Sequence, residues 1–381
     1  MGFLNEDLLE RIHSRADRYD RENEFPFEDY EELKEAGYYG AFVPKEYGGA
    51  GLTLAEIARE QTRLAKAAPG TALGINMHQI IVGLGRHMVS RGNMKGEQIL
   101  RGAAAGELYG FGISEPANDR VLLGSLTEAR PDDQGGYSFY GKKVFTSLSP
   151  AWTKLMTFGR DSASEDGPKS VFALLSREGG GFQILDDWDT MGMRATQSNS
   201  TVLEGAHTDE DAVLARIDEG PSLDPVFLGI YANFEILLAA TYAGIGDRAV
   251  EVAVETVKKR RSVMNDAPYS DDPDIRRIIA AAAVEMDGIH PHIEHISNAF
   301  EAFEDRGFLW LPQLSAVKHR AVEAALFSVQ QAVRACGGSS YYNSRELSRL
   351  YRDVVAGLFQ PSDAESVYSG WAAMLLGPKS K

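Results

Sequence analysis

The sequence predicts a multidomain α+β fold with a helical N-terminal domain, a middle β domain and a C-terminal four-helix bundle. Two changes in sequence pattern predict this division. Residues 5–107 have helical periodicity, and after Leu108 the chain changes to short β-branched and aromatic runs separated by Gly, Pro and Asp clusters. Long helical patterns return from about Pro225. A chain of 381 residues also exceeds what one compact core usually organises. We therefore place the domains at 1–108, 109–222 and 223–381.

The N-terminal domain is predicted from amphipathic segments. LLERIHSRADRYDRE and LTLAEIAREQTRLAKAA carry apolar residues three and four positions apart, which is typical of helices with one buried face. A third segment, FEDYEELKEAGYYG, ends in a glycine that stops the helix. This part of the chain is therefore expected to pack as a set of helices.

The middle domain is predicted from strand-like runs such as GYSFYGKKVFTSL, WTKLMTFGR and SVFALLSRE. No helical pattern separates them, which favours an antiparallel β-barrel or sandwich over a doubly wound sheet. After it come four helical patterns with short connections, and these favour an antiparallel four-helix bundle. They begin at FEILLAATYAG, DPDIRRIIAA, SAVKHRAVEAA and RELSRLYRD.

Composition excludes several classes of function. A net charge of −16 argues against binding to nucleic acid or to an anionic membrane surface. The single cysteine, Cys336, excludes a disulfide framework and a cysteine-based zinc site. His292 and His295 have metal-like spacing in HPHIEH, but no second cluster supplies further ligands, so no metal site is predicted. No run approaches 18 apolar residues, and we expect a cytoplasmic enzyme.

Four segments carry the chemistry of the chain. Turns that present backbone N–H groups and hydroxyls beside aromatic side chains suit a flat ring with polar edges. The four segments are FGISEPANDR (111–120), KVFTSLSPAW (143–152), MGMRATQSNSTVLEG (191–205) and RACGGSSYYNSRELSRLYRD (334–353). In this order they resemble the segments of the acyl-CoA dehydrogenase family, in a subgroup that lacks the usual loop glutamate, and the resemblance covers about residues 5 to 375.

The resemblance implies a bound FAD, with FMN as the second choice. In the family pattern, Phe111, Ile113 and Ser114 line the pyrimidine side of the flavin. Phe145 flanks the ring and Ser147 lies near its reactive nitrogen, N5. The alternative for these positions is that the aromatic residues belong to the barrel core and that the serines form turns.

A second group of residues is implied to contact the rest of the cofactor. Arg260 falls where the family has an arginine that reaches the flavin pyrophosphate of a neighbouring subunit, which implies a homotetramer or dimer. The alternative for this KKRR segment is a solvated helix end. Gly337 and Gly338 would let the backbone approach the adenosine. Arg334 stands where the family commonly has Gln, and its cation would bind phosphate or ribose.

The position of the usual catalytic base is a departure from the family. Most members carry a glutamate eight residues after the Asp of the Arg-Asp pair, and here that position is Pro361. Other members place the base on the first bundle helix, where an ungapped alignment puts Phe234, one residue before Glu235. A shift of one residue turns a side chain by about 100° around a helix. Glu235 is thus either a base in a slipped alignment or a carboxylate at an exposed helix position.

Three functions remain open from the sequence. The first is α,β-dehydrogenation of an acyl thioester in fatty acid metabolism, with electrons passed to an electron-transfer flavoprotein. The second is a monooxygenase similar to dibenzothiophene monooxygenase, which takes reduced flavin from a reductase and acts on a small organic substrate. The third is a non-catalytic flavin-binding paralogue. Gln360 and His78 are candidate polar groups for the second function, although His78 could instead pack in the helical domain. Asn118 and Arg194 are the candidates for contact with substrate.

Overall fold

The computed structural model describes residues 2–377, and these fold as helices, then strands, then helices. Asn5 caps the first helix by accepting a hydrogen bond of 2.8 Å from the Leu8 N–H, and Thr53 and Glu56 form a capping box at the third. The N-terminal helices are α1 (Glu6–Glu22), α2 (Phe27–Glu35), α3 (Leu54–Ala67), α4 (Pro69–Ser90) and α5 (Glu97–Ala104).

The middle domain is an eight-stranded sheet. Seven strands follow the order β6-β7-β3-β2-β4-β5-β8, and β1 pairs with β4 outside that path. The strands are β1 (Tyr109–Gly112), β2 (Glu128–Pro131), β3 (Tyr137–Lys143), β4 (Lys154–Asp161), β5 (Lys169–Ser176), β6 (Phe182–Ile184), β7 (Thr201–Thr208) and β8 (Val213–Asp218).

The sheet differs from the predicted antiparallel barrel in two pairings. β1 runs parallel to the first half of β4, and β2 runs parallel to the end of β4. All other pairings in this sheet of the described chain are antiparallel. Parallel neighbours need a long connection, and residues 113–153, which include the SEP turn, β2 and β3, provide one between β1 and β4. The sheet is therefore mixed.

The C-terminal part is a helical bundle. Its second predicted helix is interrupted at Gly288, because Pro291 has no N–H to donate to the Asp287 carbonyl one turn earlier. A short hairpin, β9 (Arg261–Ser262) with β10 (Ala267–Pro268), follows the first helix. The helices are α6 (Pro225–Lys259), α7 (Pro273–Asp287), α8 (Ile289–Glu301), α9 (Trp310–Cys336), α10 (Glu346–Val355) and α11 (Ala364–Leu376).

Helix α6 is the central element of the bundle. By length and composition alone it could cross a membrane, but 89% of its most apolar window is buried inside the structure. Ile236, Leu238 and Ile245 are among its fully buried residues. Its apolar surface is thus used by neighbouring helices, as in the core helix of a bundle.

One polar junction joins the three parts of the chain. The buried carboxylate of Asp353, at the end of α10, accepts a hydrogen bond of 2.6 Å from the Met193 N–H in the middle domain. Its neighbour Arg352 donates to Asp20 on α1 at 2.8 Å and to the Met191 carbonyl at 2.8 Å. Burial raises the pKa of Asp353 to about 6, although the Met193 N–H opposes that rise.

Gly192 makes this junction sterically close. A Cβ added at Gly192 would lie 2.2 Å from the Arg352 carbonyl oxygen, so that backbone would have to move. We expect Gly192→Ala to lower the free energy of unfolding by about 1–3 kcal/mol, measured by urea denaturation. Gly370→Ala is the control, because Gly370 is helical and has open space around it, so alanine should be neutral or stabilising. Equal stability of the Gly192 variant and the native protein would contradict the close packing.

Candidate functional site

The FGISEP and KVFTS segments lie side by side. The Val144 N–H donates to the Ser114 carbonyl at 2.9 Å. Next to this bond, the Lys143 ammonium lies 2.6 Å from Glu115 Oε1, and both side chains are buried. The two segments that the sequence analysis assigned to the same ring are thus adjacent in space.

Glu115 organises the turn that follows. Its carboxylate accepts hydrogen bonds from the Ser125 hydroxyl at 2.6 Å, the Leu126 N–H at 2.7 Å and the Thr127 N–H at 2.9 Å. Burial alone would raise the pKa of Glu115, but the Lys143 ammonium and these donors lower it to about 2. The pair is ionised at neutral pH and holds the SEP turn against the sheet.

The predicted ring-binding residues form one wall. Phe111 and Ile113 are buried on and just after β1, and the half-buried Ser114 follows them. Phe145 is 62% exposed and meets Trp188 edge-on, with ring centroids 6.1 Å apart. The backbone of Phe145 has a φ of +56°, which is unfavourable for a bulky residue. An exposed aromatic ring held by strained backbone is consistent with an external planar partner.

Hydroxyl groups continue this wall from the KVFTS segment to the MGMR segment. Ser147 Oγ lies 2.7 Å from Ser198 Oγ, which lies 2.7 Å from Thr196 Oγ1. Ser149 Oγ donates to the Gln197 carbonyl at 2.7 Å. Uncharged donors beside aromatic rings match the polar edge and apolar faces of isoalloxazine, so the residues present fit a flavin.

Helix α6 presents Phe234, not Glu235, to this wall. The Phe234 ring packs against Phe111 with a centroid separation of 5.8 Å. Glu235 points elsewhere, because its Oε1 accepts a hydrogen bond of 2.7 Å from the Ser362 hydroxyl. Phe234 and not Glu235 therefore faces the wall, in the direction that the ungapped alignment predicts.

Glu235 is fully buried among bundle residues, so the alternative of an exposed helix position is wrong. Burial raises the pKa of its carboxyl to about 7, against the opposing effects of Lys318 and the Ser362 hydroxyl. Its second oxygen, Oε2, has no hydrogen-bond partner. A catalytic role for Glu235 stays a prediction. The side chain points towards Ser362 and away from the wall, which does not favour that role.

The other two catalytic candidates also have partners within the chain. Gln360 Oε1 accepts from the Tyr242 hydroxyl at 2.8 Å. His78 is buried, with Nε2 at 2.9 Å from the Tyr39 carbonyl and Nδ1 accepting from the Tyr109 N–H at 3.2 Å. Burial lowers the pKa of His78 to about 4, so the ring is neutral. One nitrogen thus ties α4 to β1 and the other ties α4 to the segment after α2. The catalytic role of His78 stays a prediction that the geometry does not favour.

The two substrate-binding candidates also have hydrogen-bond partners within the chain. Asn118 Nδ2 donates to Glu115 Oε2 at 2.7 Å and to the Gly124 carbonyl at 2.9 Å. Arg194 Nε donates to the Asp20 carbonyl at 2.8 Å, and its Nη1 donates to the Thr190 carbonyl at 2.8 Å. These contacts stabilise loops, and contact of either side chain with substrate stays a prediction.

The remaining cofactor candidates form a second group at one end of the bundle. Arg260, at the end of α6, donates to the Cys336 carbonyl and lies over the Tyr269 ring at 4.8 Å. A Cβ on Gly337 would lie 3.9 Å from Arg260 Nη1, and Gly338 has open space around it. Arg334 is exposed on the last turn of α9. Their assignment to the pyrophosphate and adenosine stays a prediction.

No metal centre is evident in residues 2–377, where no three His, Cys, Asp or Glu side chains are grouped to hold an ion. His290 instead lies 3.1 Å from Asp247, as an ion pair between bundle helices.

Sequence reasoning missed the residues that support the site. Lys318 is fully buried although it lies in the polar-looking segment SAVKHR. The Glu115–Lys143 pair joins two motifs that are 28 positions apart. The detectable signal was that the FGISEP and KVFTS segments each contain one charged residue among otherwise neutral ones, which indicates that the two charges pair.

Comparisons with known proteins show which family the chain belongs to. Residues 6–107 match the model of the acyl-CoA dehydrogenase N-terminal domain, and residues 236–359 match that of its C-terminal domain. The chain belongs to the acyl-CoA dehydrogenase family. The resemblance in the sequence is thereby confirmed, as is the order of a helical domain, a sheet and a helical bundle.

The relatives of this chain carry the names of different activities. A putative acyl-CoA dehydrogenase of Bacillus subtilis (strain 168) is 28% identical over 96% of this chain and 95% of its own length. L-Evernosamine nitrososynthase of a Micromonospora species is 30% identical over 96% of this chain and 88% of its own. The solved structure of KijD3 in complex with FMN and a dTDP-linked amino sugar is 26% identical, with a TM-score of 0.87 over 98% of this chain and 92% of its own. The chain is thus an acyl-CoA dehydrogenase-fold flavoprotein.

The raised pKa of Glu235 predicts a pH-dependent stability. The folded-state pKa of about 7 lies above the ordinary value of 4.5, so the folded protein keeps this proton to a higher pH than the unfolded chain does. The free energy of unfolding therefore falls as the pH rises from about 4.5 to above 7. Glu235→Gln removes the effect. We expect the unfolding free energy of the native protein, relative to the variant, to fall by about 3 kcal/mol between pH 4.5 and pH 8. Urea denaturation of both proteins measures it, and a pH-independent difference would contradict the burial of an ionisable Glu235.

Proposed function

We propose that this protein is a flavin-dependent monooxygenase that adds one oxygen atom to a small, polar, amine-bearing substrate. Reduced flavin and O2 supply the reaction: one oxygen atom enters the product, the other leaves as water, and the flavin becomes oxidised. A separate reductase returns the flavin to its reduced form. The observation that supports the proposal most is the contact of Phe234 with Phe111, since α6 directs an aromatic ring and not the Glu235 carboxylate to the wall.

Dehydrogenation of an acyl thioester needs a carboxylate to remove the α-proton while a hydride leaves the β-carbon. In this chain the loop position is Pro361, and the carboxylate of Glu235 is turned towards Ser362. Oxygen transfer from a reduced flavin needs no such base. It needs polar groups at the ring edge and an interior that keeps water out.

The chain has residues for these tasks. Ser147 and Ser198 present hydroxyls that would hydrogen-bond the flavin edge, with Thr196 orienting them from behind. Phe145 and Trp188 would cover the ring, and Phe111 with Phe234 would close the apolar side. When bound, the flavin supplies the electrons and the activation of oxygen.

The relatives support the amine as the substrate class. One relative that aligns over nearly the full length of this chain is named a nitrososynthase, and two more, at 27% and 26% identity, are named amino sugar nitrososynthases. The structure of KijD3 holds FMN together with an amino sugar nucleotide. We extend this chemistry to the present chain, in which Phe234 and not a carboxylate faces the wall.

The group around Arg260 extends the proposal to the rest of the cofactor. Arg334, Gly337 and Gly338 would take the phosphate-bearing part of the flavin from a neighbouring subunit, in a homodimer or homotetramer. Titration with reduced FMN and reduced FAD would identify which flavin binds. A reductase in the cytoplasm would be the partner enzyme.

The activity test combines the purified protein, NADH, a flavin reductase, FMN or FAD, and a panel of amino sugars and small amines in air. We expect one amine to yield a product heavier by one oxygen atom, and ¹⁸O2 to label it. Ser147→Ala should lower the rate about tenfold, because it removes one hydrogen bond to the flavin edge. Ser162→Ala, at an exposed loop position, is the matched control.

Two results would contradict the proposal. One is oxygen consumption that releases only hydrogen peroxide with every amine tested, at a rate equal to that of free reduced flavin. The other is conversion of an acyl-CoA thioester to its α,β-unsaturated product by the same preparation.

A further inference from the structure

The loop between α10 and α11 is held in place by a buried lysine. Lys318 on α9 is 1% exposed, and its ammonium donates to three loop carbonyls. The acceptors are Gly357 at 2.8 Å, Gln360 at 2.6 Å and Ser362 at 3.0 Å. All three donors of the ammonium are thus used by one short segment of backbone.

Side chains of α6 hold the same loop from the other side. The Ser362 hydroxyl donates to Glu235 Oε1 at 2.7 Å and lies 3.1 Å from the Tyr231 hydroxyl. The Tyr242 hydroxyl donates to Gln360 Oε1 at 2.8 Å. We call Lys318, Glu235, Tyr231 and Tyr242 the loop anchor.

Polar contacts hold the loop where the packing beside it is incomplete. A cavity of about 240 Å³ lies between α9 and the loop, and Lys318, Val322, Gly357 and Ser362 are among the residues that line it. Val322 packs closely against Gly357, since a Cβ added at Gly357 would lie 2.8 Å from Val322 Cγ1, but the rest of this side of the loop borders the cavity. The carbonyls of Gly357, Gln360 and Ser362 instead take their donor from Lys318, and buried carbonyls need donors.

A buried ammonium and a buried carboxylate are costly unless each is well paired. Apolar residues would fill the same volume at lower cost, but they would leave the three carbonyls without donors. Glu235 offsets the charge of Lys318 and accepts from Ser362. The arrangement therefore specifies one loop conformation.

We propose that Lys318 and Glu235 are positioning residues that fix this loop as a wall of the substrate pocket, and that Glu235 acts as a hydrogen-bond acceptor rather than as a base. The loop lies beside the flavin-facing wall, because its partners Tyr231 and Glu235 flank Phe234 on α6 and Phe234 packs on Phe111. This inference rests on the proposed monooxygenase function. A fixed wall keeps water from the reduced flavin, so that its electrons go to product instead of to hydrogen peroxide.

The test compares two substitutions at Glu235. Glu235→Gln keeps an acceptor for the Ser362 hydroxyl, and Glu235→Leu removes it. Hydrogen–deuterium exchange of the flavin-bound protein reports on residues 357–362, and the ratio of product formed to NADH consumed reports on coupling. We expect Gln to keep slow loop exchange and native coupling. We expect Leu to speed loop exchange at least tenfold and to lower coupling severalfold, with flavin affinity unchanged.

Lys318→Met provides an independent variant of the loop anchor and should give the same two effects as Glu235→Leu. Arg320→Met is its control, because Arg320 is exposed on the same helix. Unchanged loop exchange in both Glu235→Leu and Lys318→Met would overturn the anchor. Loss of product in Glu235→Gln, with the loop still protected, would overturn the acceptor role and make Glu235 a base.

The two proposals fail separately. If the native protein forms no oxygenated product, the monooxygenase proposal fails, and the exchange measurement still decides whether Lys318 and Glu235 hold the loop. If product forms but exchange is unchanged in the Leu and Met variants, the anchor fails and the proposed function stands.

Discussion

The hydrogen bond from the Met193 N–H to the buried carboxylate of Asp353 is the contact on which the site depends most. It ties the MGMR segment of the sheet domain to the end of α10, and Arg352 beside it reaches Asp20 on the first helix. Met193 and Gln197 have left-handed backbone, with φ of +52° and +42°, which persists only where surrounding contacts enforce it. The hydroxyls of this segment are therefore placed by a contact made elsewhere in the fold.

From that junction the wall of the site follows in a chain of contacts. The MGMR segment positions the KVFTS segment, since the Leu148 N–H donates to the Thr196 carbonyl at 3.1 Å. The KVFTS segment in turn positions FGISEP through Val144 and the Lys143–Glu115 ion pair. Motifs that are distant in sequence thus become neighbours. The wall itself presents uncharged hydroxyl and aromatic groups, and the buried Lys143–Glu115 ion pair stabilises it from the side of the sheet. The one-residue offset between Phe234 and Glu235 then decides which chemistry the wall can perform.

The sequence was most informative where local patterns decide structure. α1 and α3 have periodic apolar faces and clear caps, and both form as predicted. α4 shows no such face because it is buried on nearly all sides, so periodicity could not define it. The parallel pairing of β1 with β4 depends on where an irregular segment returns, which no local pattern encodes. The motifs indicated the flavin wall, whereas Lys318 could not be found because its three partners are backbone carbonyls.

The most direct measurement is anaerobic titration of the oxidised, flavin-loaded protein with acyl-CoA thioesters of different chain lengths, followed by visible absorbance. Because Phe234 and not a carboxylate faces the wall, the α-proton would have no acceptor. We therefore expect the flavin spectrum to keep its oxidised bands with every thioester. Bleaching of those bands, together with an α,β-unsaturated thioester in the mixture, would contradict the account.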